Sequence, residues 1–368
     1  MLAVTLRHPG KLSIREKPVS EPTPLVRQRR GHGRTTLRDV AAAAGVTAIT
    51  VSRYLRSPGQ VAPATAAGIR QALSATGYVP NKQAGVLASG RGSIVAALVP
   101  NLAHSIFAET LQGLSRPLEA AGLELLVAAS GYDIEREESQ IRTLLGWAPR
   151  ALVITGRHHT PGALKLLREA HAGGCTVIEM WDHHGRGEQG FAQVGFNHRA
   201  AGQAMARHLL DRGHRRLAYV DSAVAGDYRA RERGDGFVSA GQAAGATVQR
   251  LTAPAGEPIT AGREVVGVLM AMPDRPTACA FANDHLGCGA LLGAQAAGLR
   301  VPQDLALVGF GDFELAAHLA PGLTTLAPPR QEIGARTAEL LLAQLHGAAR
   351  VQRLKLECPL VVRGSTAG

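Results

Sequence analysis

The chain has 368 residues, 45% of them hydrophobic, and a formal net charge of +11. That length is too great for one small domain and sufficient for two or three cores, and no run of eighteen apolar residues exists, which excludes a membrane-spanning helix. The charge is uneven: residues 1–92 hold 14 Lys+Arg against 3 Asp+Glu, whereas residues 93–368 hold 26 of each, so a basic module suited to a polyanion precedes an electrically balanced body.

Residues 1–33 mix proline and charge without periodicity. They are expected to form a flexible arm, or to precede the true start of the protein. Their opening lacks the continuous apolar core and small-residue cleavage site of a secretory leader, which favours a cytoplasmic protein.

Residues 34–79 are expected to form three short helices. Thr35 or Thr36 can cap the first, in which Leu37, Val40, Ala41 and Ala44 share one face. Gly45 permits the positive φ that ends a helix and turns the chain. Thr47 caps the second, with Val51, Tyr54 and Leu55 inward and Ala48, Ile49, Ser52 and Arg53 outward. This spacing fits a helix-turn-helix whose second helix enters a DNA major groove. A plain helical hairpin shares the pattern, but the local positive charge favours DNA. Residues 80–92, PNKQAGVLASGRG, read as a linker bounded by Pro80, Gly90 and Gly92.

From Ser93 onward, β-rich runs alternate with amphipathic helical stretches: SIVAALVP, LELLVAAS, ALVIT, CTVIE, RRLAYVD, TACAF and LALVGF. Such alternation implies parallel sheets wound by right-handed crossovers, with ligands at the carboxyl ends of the strands. Cys175, Cys279, Cys288 and Cys358 form no C-x-x-C pair and are expected to be reduced core thiols. The pairs His158–His159 and His183–His184 lack metal-site spacing and read as loop histidines. GYDIEREESQIRTLL reads as a solvated helix with acid near its positive end. No nucleophile elbow, phosphate loop or G-x-G-x-x-G motif appears, so neither an enzyme nor a cofactor site is expected.

TLRDVAAAAGVTAITVSRYL followed by GYVPNKQAGVLASG resembles the DNA-binding domain and hinge of the LacI/GalR family of repressors. The resemblance extends from Thr36 to Gly364. Within the family, TVSRYLRSPGQV, VPNLAHSIFAETLQGL, LLGWAPRALVITGRHHTP and VGFNHRAAGQAM look most similar to gluconate repressors. It implies an N-terminal all-α helix-turn-helix domain and an α/β core, similar to periplasmic binding proteins, of two parallel-sheet subdomains. The domains would be 34–79, the hinge 80–92 and the core 93–364. LTTLAPPR at 323–330 would mark a return crossing, giving subdomains of 93–194 with 326–348, and 195–323 with 351–364.

Residue by residue, the resemblance places Ala48 and Ile49 at base-reading positions and Arg53 at a guanine-reading one, with Thr47 and Ser52 holding phosphates. Leu87 matches a leucine wedged into the minor groove, and small Ala84 allows close approach there. Phe107, Asp182, Arg233 and Asn283 would line the effector site, whereas Arg231 reads as a solvated helix residue. Two departures stand out. The third helix opens on Ala62 and Pro63, without a capping serine, and contains Gly68. In VGFGDF, Gly311 replaces the aspartate of many sugar-binding members, and Asp312 is displaced by one. Fewer acids beside retained arginines favour a sugar acid over a neutral sugar. The implied partners are palindromic operator DNA, a small sugar or sugar-acid effector and a second copy in a homodimer. Rival readings are a family member answering a neutral sugar, a nucleoside or a corepressor, and a solute-binding protein with a vestigial basic module.

Overall fold

The computed structural model describes residues 35–80, 92–103, 106–184, 190–347 and 352–367, in two units, Met1–Lys82 and Gln83–Gly368. The expected arm and the hinge positions Ala84 and Leu87 lie outside the described residues.

The first unit holds α1 (Leu37–Ala43), α2 (Ala48–Arg56) and α3 (Pro63–Thr76). The Asp39 carboxylate accepts the backbone N–H and the hydroxyl of Thr36, each at 2.7 Å, which ties down the start of α1. Gly45 adopts φ 65° and turns the chain into α2, where the Thr47 hydroxyl accepts from the Thr50 N–H. Val40, Val51 and Ile69 bring one fully buried side chain from each helix to a common centre. Leu37, Ala44, Tyr54 and Leu55 pack around them. The Thr35 hydroxyl donates to the Thr76 carbonyl at 2.9 Å and joins the beginning of the unit to its end. Ala62 supplies no capping side chain to α3.

The second unit carries two sheets, each six-stranded among the described residues. The first contains β1 (Ile94–Val99), β2 (Glu124–Ala129), β3 (Ala151–Thr155), β4 (Thr176–Asp182), β5 (Ala192–Phe196) and β11 (Arg353–Lys355), ordered β11-β5-β4-β3-β1-β2. The second contains β6 (Arg216–Asp221), β7 (Thr247–Thr252), β8 (Ala278–Phe281), β9 (Ala306–Phe310), β10 (Thr324–Leu326) and β12 (Leu360–Val361), ordered β12-β10-β9-β8-β6-β7. All pairings are parallel except β10 with β12.

Between the strands run α4 (Ala108–Ala120), α5 (Ile134–Leu145), α6 (Pro161–Ala172), α7 (His198–Asp211), α8 (Tyr228–Ala243), α9 (Pro258–Ala271), α10 (Asp284–Ala296), α11 (Glu314–His318) and α12 (Arg330–Leu345). Strands β3, β4, β5, β8 and β9 are buried along their whole length, because helices cover both faces of the sheets. Helices α7 and α8 approach closely: a Cβ at Gly202 would collide with the carbonyl oxygen of Arg233, and one at Gly236 with that of Arg199.

The chain passes between the sheets three times. It leaves the first after β5, which ends at Phe196, and returns through 327–329, between β10 and α12. The third passage corrects the expected boundary. Residues 351–364 do not belong wholly to the second subdomain, since β11 pairs with β5, Leu354 beside Val194, and only β12 reaches the second sheet. The physical reason is edge cover: β11 takes up the open hydrogen-bonding edge of β5, and its Arg353 and Lys355 suit an outer strand.

Candidate functional site

The outer side of α2 presents Ile49, 69% exposed, and the exposed Arg53, with Ala48 and Ser52 half-buried and Thr47 exposed at the helix start. Asp39 is the one acidic residue between 35 and 80, and its carboxylate is occupied by Thr36. Among the described residues the Arg53 guanidinium has no side-chain hydrogen bond or ion pair. The face therefore offers a cation, two hydroxyls and an apolar tip with no competing carboxylate.

In the second unit, loops after strands of both sheets line a partly open cavity of about 110 Å³. From the first sheet come Phe107, just before α4, Tyr132 after β2, and Trp181 on β4. From the second come His198, Arg229 and Arg233 on α7 and α8, Asp227 capping α8, Asn283 capping α10, and Phe310 and Phe313 around the end of β9. Phe107 stands edge-on to Trp181, ring centroids 5.1 Å apart, and the Trp181 indole N–H donates to the Thr110 hydroxyl at 3.2 Å. These contacts fix the apolar wall.

Arg233 is 4% exposed. Its Nη1 donates to His198 Nδ1 at 3.0 Å and its Nη2 to the Ala282 carbonyl at 2.9 Å. Its guanidinium carbon lies 3.7 Å from the Phe310 ring centroid. The other ring nitrogen of His198 donates to the Trp181 carbonyl at 2.9 Å. Burial, with Arg233 and Arg229 nearby, holds the His198 pKa well below the usual range, so the ring stays neutral and can accept from Arg233. Asn283 caps α10 through its side-chain Oδ1, which accepts the Leu286 N–H at 3.0 Å. Behind the wall, buried Asp284 accepts from the Thr325 hydroxyl at 2.6 Å and the Phe313 N–H at 2.9 Å, and burial pushes its carboxyl up to about 6.

Phe107, Arg233 and Asn283 thus meet in one cavity, and Asp182 does not join them. Asp182 is 2% exposed and accepts a hydrogen bond from the Tyr228 hydroxyl, with His198 Nε2 3.6 Å from its other oxygen. Burial raises its pKa, against the opposing pull of Arg229. Its position at the end of β4 was readable; the tyrosine that covers it, from another sheet, was not. Arg231 is exposed and donates to the Ala225 carbonyl, outside the cavity. Arg229, not among the expected site residues, lines the cavity and is 5% exposed. The signal was available: it lies one helical turn before Arg233 and therefore on the same face. Asp312 is turned away, its carboxylate 2.6 Å from Arg363.

His159 lies in the loop between β3 and α6, as expected, but turns inward. Its side chain is fully buried, with Nδ1 donating to Glu137 at 2.6 Å and Nε2 3.5 Å from Glu179. Glu179 is itself fully buried and accepts from Gln193 at 2.5 Å, its register partner on β5. The acidic helix α5 is therefore not solvated throughout, since Glu137 faces inward. Among the described residues no group of three His, Cys, Asp or Glu is arranged to hold a metal ion, and no helix is long and apolar enough to cross a membrane.

Residues 36–81 match the model of bacterial regulatory proteins of the lacI family, and residues 206–366 match a periplasmic binding protein-like domain. The chain is 39% identical to the HTH-type transcriptional regulator GntR of Pseudomonas aeruginosa, over 91% of this chain and 96% of that protein. It is 32% identical to the HTH-type transcriptional regulator GntR of Escherichia coli strain K12, over 85% and 93% respectively. A crystal structure of a LacI family transcriptional regulator from Silicibacter pomeroyi superposes with a TM-score of 0.83 at 34% identity, covering 90% of this chain and 99% of that one.

Proposed function

The chain belongs to the lacI family of bacterial regulatory proteins, a transcriptional regulator and not an enzyme, and from that premise we propose that it is a cytoplasmic repressor whose grip on operator DNA is set by a small sugar acid such as gluconate. Helix α2 lies in the major groove. Arg53 reads guanine by a two-pronged hydrogen bond, Thr47 and Ser52 hold phosphates, and Ala48 and Ile49 touch thymine methyls or sense shape. Two copies present two such helices to a palindrome, and Ala84 and Leu87 of the two hinges enter the minor groove between them.

In the body, Phe107 gives the effector an apolar wall and Asn283 a hydrogen-bonding partner, with Arg233 beside them. The observation that carries the acid reading is electrostatic. Arg229 and Arg233 are both buried and both line the cavity, and among the described residues neither forms an ion pair with a carboxylate. Asp227, which also lines the cavity, and Asp182 offset part of that charge at a distance; a ligand that brings its own carboxylate adds a direct charge-assisted partner that a neutral sugar lacks.

Calorimetry with gluconate and with glucose tests this. Gluconate is expected to bind at least about tenfold more tightly, the scale of one charge-assisted hydrogen bond. Equal affinities, or no heat with gluconate, would leave the neutral-sugar, nucleoside or corepressor reading in its place.

A further inference from the structure

The geometry points to Arg229, rather than Arg233, as the residue that takes the effector's carboxylate and so sets the preference for an acid. This assignment rests on the sugar-acid reading above and deepens it.

The two arginines differ in how much of each fork is already engaged. Both terminal nitrogens of Arg233 have short partners inside the protein, His198 Nδ1 and the Ala282 carbonyl. Its plane is stacked on Phe310, and its Nε is sealed without a partner. A carboxylate that took this fork would have to displace a buried histidine or a buried carbonyl, leaving that group unsatisfied. Arg233 is a fixed part of the cavity wall.

Arg229 is placed otherwise. Its Nη1 is 3.4 Å from both the Thr155 carbonyl and the Tyr228 hydroxyl, two long hydrogen bonds. Its Nε and Nη2 make none among the described residues, and neither is a sealed atom. Nε and Nη2 form one edge of the guanidinium, the edge that matches two carboxylate oxygens. The Tyr228 and Phe107 rings flank the group at 4.9 and 5.9 Å. Burial works against its charge, but the nearby Asp227 and Asp182 carboxyl groups favour it, and a guanidinium stays protonated in a protein. It is a largely buried cation, 5% exposed, whose bidentate edge is unused.

Its position also spans the cleft. Arg229 stands on α8, which packs against β6 and β7 of the second sheet, and Thr155 ends β3 of the first. The neighbouring Tyr228 donates to Asp182 and accepts from the Arg157 N–H at 2.8 Å, both in the first subdomain. A carboxylate bound at Arg229 therefore acts where the two subdomains touch.

The test is calorimetry on the full chain with gluconate and with glucitol, which carries a hydroxymethyl group in place of the carboxylate. The wild-type protein, Arg229→Gln, Arg229→Lys and Arg231→Gln are compared. The wild type is expected to prefer gluconate. Arg229→Gln is expected to lose at least about tenfold in gluconate affinity while glucitol affinity changes by less than about threefold, so the preference collapses. Arg229→Lys restores charge without the fork and recovers part of it. Arg231→Gln keeps the wild-type preference. If Arg229→Gln retains that preference, the role of Arg229 falls while the sugar-acid reading stands. A wild type without preference overturns both. If the glutamine variant does not fold, Arg229→Lys decides: a weakened preference supports the assignment and an undiminished one overturns it.

Discussion

Two carboxylates and one imidazole share a closed space in the first subdomain. Burial alone would lower the pKa of His159, but hydrogen bonds and charge from Glu137 and Glu179 outweigh it and raise the value to about 9. A base whose folded pKa lies above its unfolded value of about 6.5 adds stability that is complete below that pH and lost as pH climbs through the folded value. The free energy of unfolding is thus expected to decline between about pH 6.5 and pH 9, which denaturant titration at several pH values would read. Replacing His159 by Gln leaves two inward acids without their cation; it is expected to destabilise the body by about 3–5 kcal/mol at neutral pH and to flatten that slope. An unchanged slope in the variant would mean that other groups set it. Adjacent histidines after a strand read as a loop, which is where His159 lies, but nothing in the sequence shows that it turns inward. The partners come from α5 and β4, and only the fold brings them together.

At the scale of elements, legibility follows burial. Strands covered on both faces had to be continuous apolar runs, and ALVIT and LALVGF announced themselves. Strand β7, TVQRLT, is half-exposed at an edge, and β10, β11 and β12 span three residues or fewer. Strand β5, though buried, is interrupted by polar Gln193 and by Gly195. These five were not recognised as strands. Short pairing segments are fixed by neighbours and not by their own composition. Helices α1 and α2 were legible through caps and the Gly45 turn, which are local chemistry. Helix α3 carries a testable defect. Gly68 lies within it, at an ordinary helical position with open space where a Cβ would go. Gly68→Ala is expected to stabilise the helical unit by about 1 kcal/mol through backbone entropy. Differential scanning calorimetry of the full chain would show it as a higher transition for that unit, and a lowered one would contradict the account.

For the whole molecule, the separation of charge states the division of labour most simply. The excess of positive charge lies in residues 1–92, and the remainder is balanced. A face with Arg53 outward and no free acid beside it suits a duplex, and a cavity lined by two buried arginines against one carboxylate, Asp227, suits a small anion. That the cavity lies at carboxyl ends of strands from two sheets followed from the alternation of elements. That Arg229 points into it and Asp182 does not depended on tertiary contacts across the cleft. Linkage makes the proposed control reciprocal: an effector that alters operator affinity must have its own affinity altered by the operator to the same degree. The most direct measurement is the affinity of the full chain for labelled palindromic duplexes, at fixed salt, with and without saturating gluconate. The account predicts one duplex held far more tightly than random DNA, with an affinity that gluconate shifts by about 5- to 150-fold and glucose does not. No duplex held above random DNA, or an operator affinity indifferent to gluconate, would contradict it.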